Sequence, residues 1–170
     1  MAEVLVQYPG AQRALFRRYH IGGCSSCGFS PEETVESLCA RNQILNVQEV
    51  LAHIRASHQN DLRLLVEPNV VKGWLDLNDA KLLDIRAREE FETSHIQVSI
   101  LLTQSIMNEI MGKWDRASRI VIVDHLGKTV LDAAAYFQGH GFQQIYGLKG
   151  GIDAWSIDID ASVRRYRLEA

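Results

Sequence analysis

The chain has 170 residues, of which 46% are hydrophobic and 23% are charged, and its formal net charge is -3. This composition is typical of a globular protein, and it offers no basic field for binding nucleic acid or an anionic membrane surface. No apolar run approaches the roughly 18 residues that span a bilayer, and the first residues lack the basic segment of a secretory signal. We therefore expect a cytoplasmic protein, in which cysteines serve as thiols, redox groups or metal ligands rather than as structural disulfides.

The first 58 residues are predicted to form a small helical domain. Apolar residues recur at helical spacing from Gly10 to Tyr19, and Gly22-Gly23 is predicted to end that helix. Ser30 is predicted to cap a second helix, with Pro31 at its first position and Glu33 completing a capping box. Three short helices bury little core, so this part is expected to need a partner, a metal or a neighbouring domain.

A third helix of this part is predicted to begin after Asn46, which has the side chain of an N-cap residue. The following segment, residues 56–60, is polar and lacks a hydrophobic period, so we interpret it as a linker. The sequence thus predicts two domains, a helical one over residues 1–58 and a second over residues 59–170.

Short apolar strands alternate with helices in the second domain. This order predicts an α/β fold with a doubly wound parallel sheet, covered by helices on both faces. The tail, residues 162–170, is expected to be a helix end or a solvated terminus. The predicted strands are 62–67, 81–85, 98–102, 119–123 and 144–146, and the predicted helices are 68–76, 89–92, 104–114, 129–138 and one that begins at 151.

The loop that follows the strand 119–123 is the candidate site of this domain. Ligands of such sheets bind beyond the carboxyl ends of the strands, and a loop that leads into a helix directs its backbone N–H groups at an anion. Asp124 ends the strand and could be a catalytic acid or a metal ligand beside His125. The alternative, which we favour, is that its carboxylate is a structural anion held by those N–H groups. The whole loop comprises Asp124, His125, Leu126, Gly127, Lys128 and Thr129.

Other polar residues of the second domain have structural alternatives. Asp84 and Arg86 lie at the carboxyl end of the predicted strand 81–85 and could orient the loop, or form local ion pairs with Arg88, Glu89 or Glu90. We favour the structural role. Lys128 and Thr129 could contact an anionic ligand, but a surface ion pair with Asp124 nearby is the favoured interpretation.

The second domain resembles the rhodanese-like family over roughly residues 62–157. The motifs that carry the resemblance are Leu83-Asp84-Ile85-Arg86 with Glu89-Glu90-Phe91, then His95-Ile96, the strand into Asp124, and Gly141-Phe142 followed by the segment 148–155. The resemblance implies a doubly wound α/β fold. Active members of this family carry sulfur as a persulfide on a cysteine in a six-residue loop.

Departures from the family pattern fall at this chemistry. The resemblance places Asp124 at the cysteine position and Thr129 at that of a loop arginine, and Gln97-Val98 follow His95-Ile96 where a proline and a glycine are usual. A carboxylate lacks the polarisable sulfur of a thiolate, and its charge repels thiosulfate or a persulfide anion. We therefore predict that this domain has no sulfurtransferase activity of its own.

The first domain contains the pair Cys24-Ser25-Ser26-Cys27. A C-x-x-C pair permits disulfide cycling, so a redox dithiol is one interpretation. A second is a zinc or iron–sulfur site formed by His20, Cys24, Cys27 and Cys39, and a third is two unreactive thiols, with Cys39 a core residue.

The first domain, from about Val4 to Ile54, also resembles a small helical family associated with hybrid-cluster proteins and described as a redox-disulfide domain. The resemblance rests on Tyr8-Pro9, the segment 16–21, the cysteine pair and the helix signals after it. It implies a dithiol.

Two hypotheses for the function follow. The first is a non-catalytic, bacterial-type binding or regulatory protein, in which a rhodanese-like domain is joined to a dithiol that senses redox state or metal. The second is a sulfur-relay or disulfide-exchange enzyme that works through Cys24 and Cys27. Either hypothesis predicts a protein partner or a sulfur or redox carrier, excludes nucleic acid and membrane, and requires no cofactor.

Overall fold

The computed structural model describes residues 1–22 and 28–165. The chain divides into two compact units, Met1–Arg63 and Leu64–Ala170. None of the helices within the described residues is long and apolar enough to cross a membrane.

Within its described residues, the first unit is built from four helices: α1 (Ala2–Gln7), α2 (Ala11–Tyr19), α3 (Val35–Arg41) and α4 (Val47–Leu64). They enclose a core that includes Leu15, Leu38 and Ile54. The cap predicted for the last helix is present, because the Glu49 N–H donates to Asn46 Oδ1 at 3.1 Å.

Two helix ends in this unit differ from the prediction. Helix α2 ends at Tyr19, where His20 adopts a left-handed conformation with φ of 58°, so Gly22-Gly23 do not end it. Helix α3 begins at Val35 rather than beside Ser30, and the side chain of Thr34 caps it.

The capping box predicted at Ser30 fails because Glu33 is engaged elsewhere. Its carboxylate accepts hydrogen bonds from Arg41 Nε and Nη2 at 3.1 and 3.0 Å, while Ser30 Oγ accepts from the Glu32 N–H at 3.3 Å in a local turn. The guanidinium of Arg41, eight residues away, thus binds the Glu33 carboxylate that the local pattern assigned to the capping box.

The linker interpretation of residues 56–60 is wrong, because this segment lies inside α4. It contains no proline or glycine, and contacts within the first unit hold its polar residues in a helix. The His58 ring meets Tyr8 edge-on at 5.4 Å between ring centroids, and Asp61 pairs with Arg13 at 2.6 Å. Since α4 runs on to Leu64, the strand predicted for 62–67 shortens to β1 (Leu65–Val66).

The second unit is an α/β fold around a parallel, five-stranded sheet, which confirms the predicted fold class. The strand order within the described residues is β1-β5-β4-β2-β3, and every pairing is parallel. The other strands are β2 (Lys81–Asp84), β3 (Ile100–Leu101), β4 (Arg119–Val123) and β5 (Gln144–Leu148), and the helices are α5 (Pro68–Asp76), α6 (Arg88–Thr93), α7 (Gln104–Lys113), α8 (Val130–Gly139) and α9 (Gly151–Asp158).

The central strand β4 shows why the sheet is covered on both faces. Ile120 and Ile122 point into the core layer that contains Phe137 of α8, whereas Val121 and Val123 point into the layer that contains Trp155 of α9. Successive side chains of a strand alternate between faces, so an uninterrupted apolar run is buried on both. Asp124 leaves this strand at the carboxyl edge, between β2 and β5.

Candidate functional site

The carboxylate of Asp124 is surrounded by hydrogen-bond donors from its own loop. The N–H of Gly127 donates to Oδ1, and the N–H and the hydroxyl of Thr129 both donate to Oδ2 at 2.7 Å. Asp124 is only 7% exposed. Because the acceptor is a carboxylate, these bonds are charge-assisted and stronger than neutral ones. The loop thus contains a buried anion of its own.

Two glycines allow this loop its shape. Gly127 has φ of +75°, and a Cβ there would lie 2.8 Å from the Gly150 nitrogen. Gly151 has φ of +62°, and a Cβ there would lie 2.5 Å from the carbonyl carbon and oxygen of His125. The loop and the start of α9 are therefore in direct backbone contact, which any side chain at Gly151 would disrupt.

The N-terminus of α9 also holds the loop by hydrogen bonds. The N–H of Ile152 donates to the Asp124 carbonyl at 2.9 Å, and the N–H of Asp153 donates to the His125 carbonyl at 3.2 Å. The first N–H groups of a helix have no partner within the helix, and no side chain caps α9. The loop carbonyls satisfy these donors, a role that the sequence analysis did not assign to residues 150–153, although the Gly-Gly pair marks the position.

The predicted support residues form a buried pair at the end of β2. Arg86 donates from Nε and Nη2 to the Asp84 carboxylate at 2.6 to 3.1 Å, and also to the Ser94 carbonyl at 2.9 Å. The side chains of Asp84 and Arg86 are 0% and 2% exposed. The two residues thus pair with each other. The cation that binds the Asp84 carboxylate is Arg86 and not Arg88, the alternative that the sequence offered.

This pair is linked to the loop through the sheet. Asp84 lies in register with Val123, the residue before Asp124, and the N–H of Ile85 donates to the Val123 carbonyl at 2.9 Å. The guanidinium also ties β2 to the end of α6 at Ser94. The arrangement fixes the edge from which the loop departs.

The exposed part of the loop is its rim. Leu126 is 44% exposed, and Lys128 is exposed and forms no ion pair within the part of the chain that the structure describes. The ion pair expected for Lys128 is therefore not found among these residues. The Thr129 hydroxyl, in contrast, is committed to Asp124.

The expected metal set cannot be assembled from the described residues. Cys24 and Cys27 lie outside them, and within them no group of three or more His, Cys, Asp or Glu side chains is placed to hold a metal ion. Cys39 is 1% exposed in the core of the first unit, and burial, with a smaller contribution from Glu36, raises the pKa of its thiol. His20 is exposed and meets the Phe16 ring edge-on at 6.1 Å.

The end of the described chain differs from the solvated tail that the sequence suggested. Val163 is 7% exposed and belongs to the core layer of α9, and Arg165 binds the Asp153 carboxylate at 2.7 and 3.1 Å. The hydrogen bonds from Arg165 lower the pKa of Asp153 below its ordinary value, with a smaller effect of the Arg165 and His125 charges.

Comparisons with known proteins agree with this fold. The family described as "Rhodanese-like domain" matches residues 67–158. A thiosulfate sulfurtransferase GlpE from Pseudomonas savastanoi pv. phaseolicola is 33% identical over 76 residues, which are 45% of this chain and 72% of that protein. The protein of the same name from Vibrio cholerae serotype O1 is 26% identical over 102 residues, 58% of this chain and 96% of its own length.

A solved structure from Bacillus halodurans has the same fold. It superposes with a TM-score of 0.54 at 18% identity and covers 72% of this chain and 95% of its own. At this level of identity the likeness concerns the fold alone.

Proposed function

The chain belongs to the rhodanese-like family, and from that premise we propose that its second unit is a non-catalytic binding or regulatory module rather than a sulfurtransferase. The observation that carries the proposal is the hydrogen bonding of Asp124. Its carboxylate accepts from the N–H of Gly127 and from the N–H and hydroxyl of Thr129. Donors that would receive an anionic substrate are thereby occupied by the chain itself.

The chemistry of a carboxylate supports this proposal. Sulfur transfer needs a nucleophile that can hold sulfane sulfur, and a thiolate does so because its sulfur is polarisable and its pKa can be lowered. Asp124 offers oxygen instead, and its negative charge would repel thiosulfate in a buried setting where electrostatic interactions are strong. The resemblance to the family places Asp124 at the position of the persulfide cysteine.

The surface that remains available is a binding surface. Leu126 presents apolar area at the loop rim and Lys128 a positive charge, while the buried pair of Asp84 and Arg86 holds the edge beneath them. We propose a protein partner, or a sulfur or redox carrier, as the ligand. The relatives named thiosulfate sulfurtransferase make sulfur metabolism the context of this proposal.

Cyanide-dependent formation of thiocyanate from thiosulfate tests the proposal. The wild-type chain and a Cys24→Ser/Cys27→Ser double variant are both expected to give only the rate of a protein-free control. Activity that survives in the double variant and disappears in Asp124→Ala would overturn the proposal. Asp76→Ala, which changes an exposed aspartate of α5, is the matched control for an effect of charge alone.

A second candidate function is favoured by the sequence Cys24-Ser25-Ser26-Cys27. In this proposal the two cysteines exchange disulfides or relay sulfur, and the rhodanese-like unit binds the partner. The test is the rate of alkylation against pH, since a reactive dithiol has one thiol with a pKa well below ~8.5. Slow alkylation of both cysteines with ordinary pKa values would exclude this candidate, and zinc and iron analysis of anaerobically purified protein would distinguish it from a metal site.

A further inference from the structure

The last described residues, Asp160–Arg165, turn back along α9, and we call them the strap. Its anchor is Val163, which is 7% exposed and packs in the same core layer as Trp155. Ser156 Oγ of α9 donates to the Val163 carbonyl at 2.5 Å. The strap is shaped by Asp160, whose carboxylate accepts from the Ser162 hydroxyl at 2.6 Å.

The strap ends on the first turn of α9. Arg165 donates from Nε and Nη2 to the two oxygens of Asp153 at 2.7 and 3.1 Å, a two-point geometry that fixes orientation as well as distance. Asp153 is also the residue whose N–H donates to the His125 carbonyl. One residue therefore contacts the strap through its side chain and the loop through its backbone.

We infer that the strap is a positioning device for the loop 124–129, which holds the loop in the conformation seen in the structure by fixing the N-terminus of α9. The inference rests on the proposed function, in which the shape of this loop matters as a binding surface rather than as a reaction centre. Val163 and Arg165 are its positioning residues. Release of the strap, by a partner that binds it or by cleavage before Val163, would loosen the loop.

The first turn of α9 is linked to the loop by backbone N–H groups that have no acceptor within the helix. The N–H groups of Ile152 and Asp153 belong to the first turn of α9, where intrahelical acceptors are missing, and they hold the carbonyls of Asp124 and His125. If α9 loses its strap, its first turn frays more often, and each opening releases the loop carbonyls. Local opening of this kind proceeds without unfolding of the rest of a domain.

Amide hydrogen exchange of the full-length protein measures this coupling. The N–H groups of Gly127 and Thr129 donate to Asp124, so they exchange only when the loop opens. In Val163→Ala we expect the ratio of the variant's exchange rate to that of the wild type, measured at these two amides, to be about ten, from the loss of two buried methyl groups. The control is Val71→Ala, which removes the same groups from a buried valine of the same core layer and should leave this ratio near one, while the amide of Ile122 in the central strand reports the loss of global stability in both variants.

A surface variant keeps the test valid if the core variant folds poorly. In Arg165→Gln the same ratio should be about two to five, the range expected for one exposed ion pair, and in Arg165→Lys, which keeps the charge, it should lie closer to one. Lys72→Gln, which removes an exposed ion pair in α5, should leave the ratio near one. A ratio near one in both Val163→Ala and Arg165→Gln, meaning exchange at Gly127 and Thr129 as slow as in the wild type, overturns the inference.

The sulfur assay and the exchange test can refute the proposed function and the role of the strap independently of each other. Thiocyanate formation that survives in the Cys24→Ser/Cys27→Ser variant and disappears in Asp124→Ala would refute the proposed function while leaving the exchange ratios as they are. Exchange ratios near one in an inactive protein would refute only the role of the strap.

Discussion

Replacement of Asp124 by asparagine tests whether the loop is held by its own anion. The side chain keeps its size but loses its charge and one of its two acceptor oxygens. The structure has three donors to satisfy, the Gly127 N–H on Oδ1 and the Thr129 N–H and hydroxyl on Oδ2. In either orientation of the amide, at least one backbone N–H faces an NH₂ group.

The magnitude follows from these contacts. An unsatisfied buried donor costs about 1–3 kcal/mol, and a hydrogen bond to a neutral acceptor is weaker than one to a charged acceptor by roughly 1 kcal/mol. Asp124 is 7% exposed and Gly127 is half-buried, so solvent offers little compensation to the Gly127 donor, whereas the exposed Thr129 can exchange its bonds for bonds to water. We expect Asp124→Asn to lower the free energy of unfolding of the second unit by about 1–4 kcal/mol.

Urea titration followed by tryptophan fluorescence is a selective assay. All three tryptophans, Trp74, Trp114 and Trp155, lie in the second unit, so their emission reports that unit alone. Asp76→Asn is the control, because this carboxylate is 61% exposed and pairs with Lys72, and its loss should cost less than about 0.5 kcal/mol.

The outcome that would refute the reasoning is a loss of less than about 0.5 kcal/mol in Asp124→Asn, similar to the control. A second variant refines the result. Thr129→Val removes the hydroxyl donor and keeps the backbone donor, so the double variant with Asp124→Asn should cost less than the sum of the single variants. Strict additivity would mean that the two side chains do not interact.

Three further predictions concern the surroundings of the loop. Gly151→Ala should cost about 2–5 kcal/mol, since a left-handed φ and backbone contacts near 2.5 Å are both unfavourable, whereas Gly112→Ala, in a helix with open space, should stabilise by up to about 1 kcal/mol in thermal unfolding. Arg86→Ala should cost about 3–5 kcal/mol in the same urea assay, because it leaves its fully buried carboxylate partner without its cation; a loss below about 1 kcal/mol would contradict a buried pair. By NMR titration, Asp153 should have a pKa below its ordinary value of 3.8, so the stabilising contribution of its pair with Arg165 is present above the unfolded-state pKa and is lost as pH falls through the folded-state pKa. In Arg165→Gln the pKa of Asp153 should return toward 3.8, and a pKa that stays low would assign the shift to another group.

Sequence periodicity predicted the elements whose burial is decided locally. The run Arg119–Val123 forms β4 with the predicted ends. Its last four residues are all apolar, and such a continuous apolar run is typical of a strand that is buried on both faces. Pro68–Asp76 forms α5 as predicted, since proline favours the first helical position. The predicted α/β class follows from this alternation.

Elements that depend on distant partners were predicted less well. Glu33 belongs to a strong capping pattern, but Arg41 binds its carboxylate and the helix begins later. The segment around His58 has the composition of a linker, yet the Tyr8 ring and the Arg13–Asp61 ion pair keep it helical. In both cases contacts outside the local segment outweigh the local preference, which for a helix cap is about 1 kcal/mol.

The features of the candidate site also fall into those that the sequence predicts and those that depend on tertiary contacts. The sequence by itself determined that Asp124 follows the central strand, enters a glycine-containing loop and lies at the carboxyl edge of the sheet, because these features depend on the order of residues along the chain. Only the tertiary structure decided which groups surround it: the donors of Thr129, the close approach of Gly151 and the return of Arg165 to Asp153. Chain order specifies which residues can reach an edge of a sheet, but folding into three dimensions decides which donors and acceptors meet there.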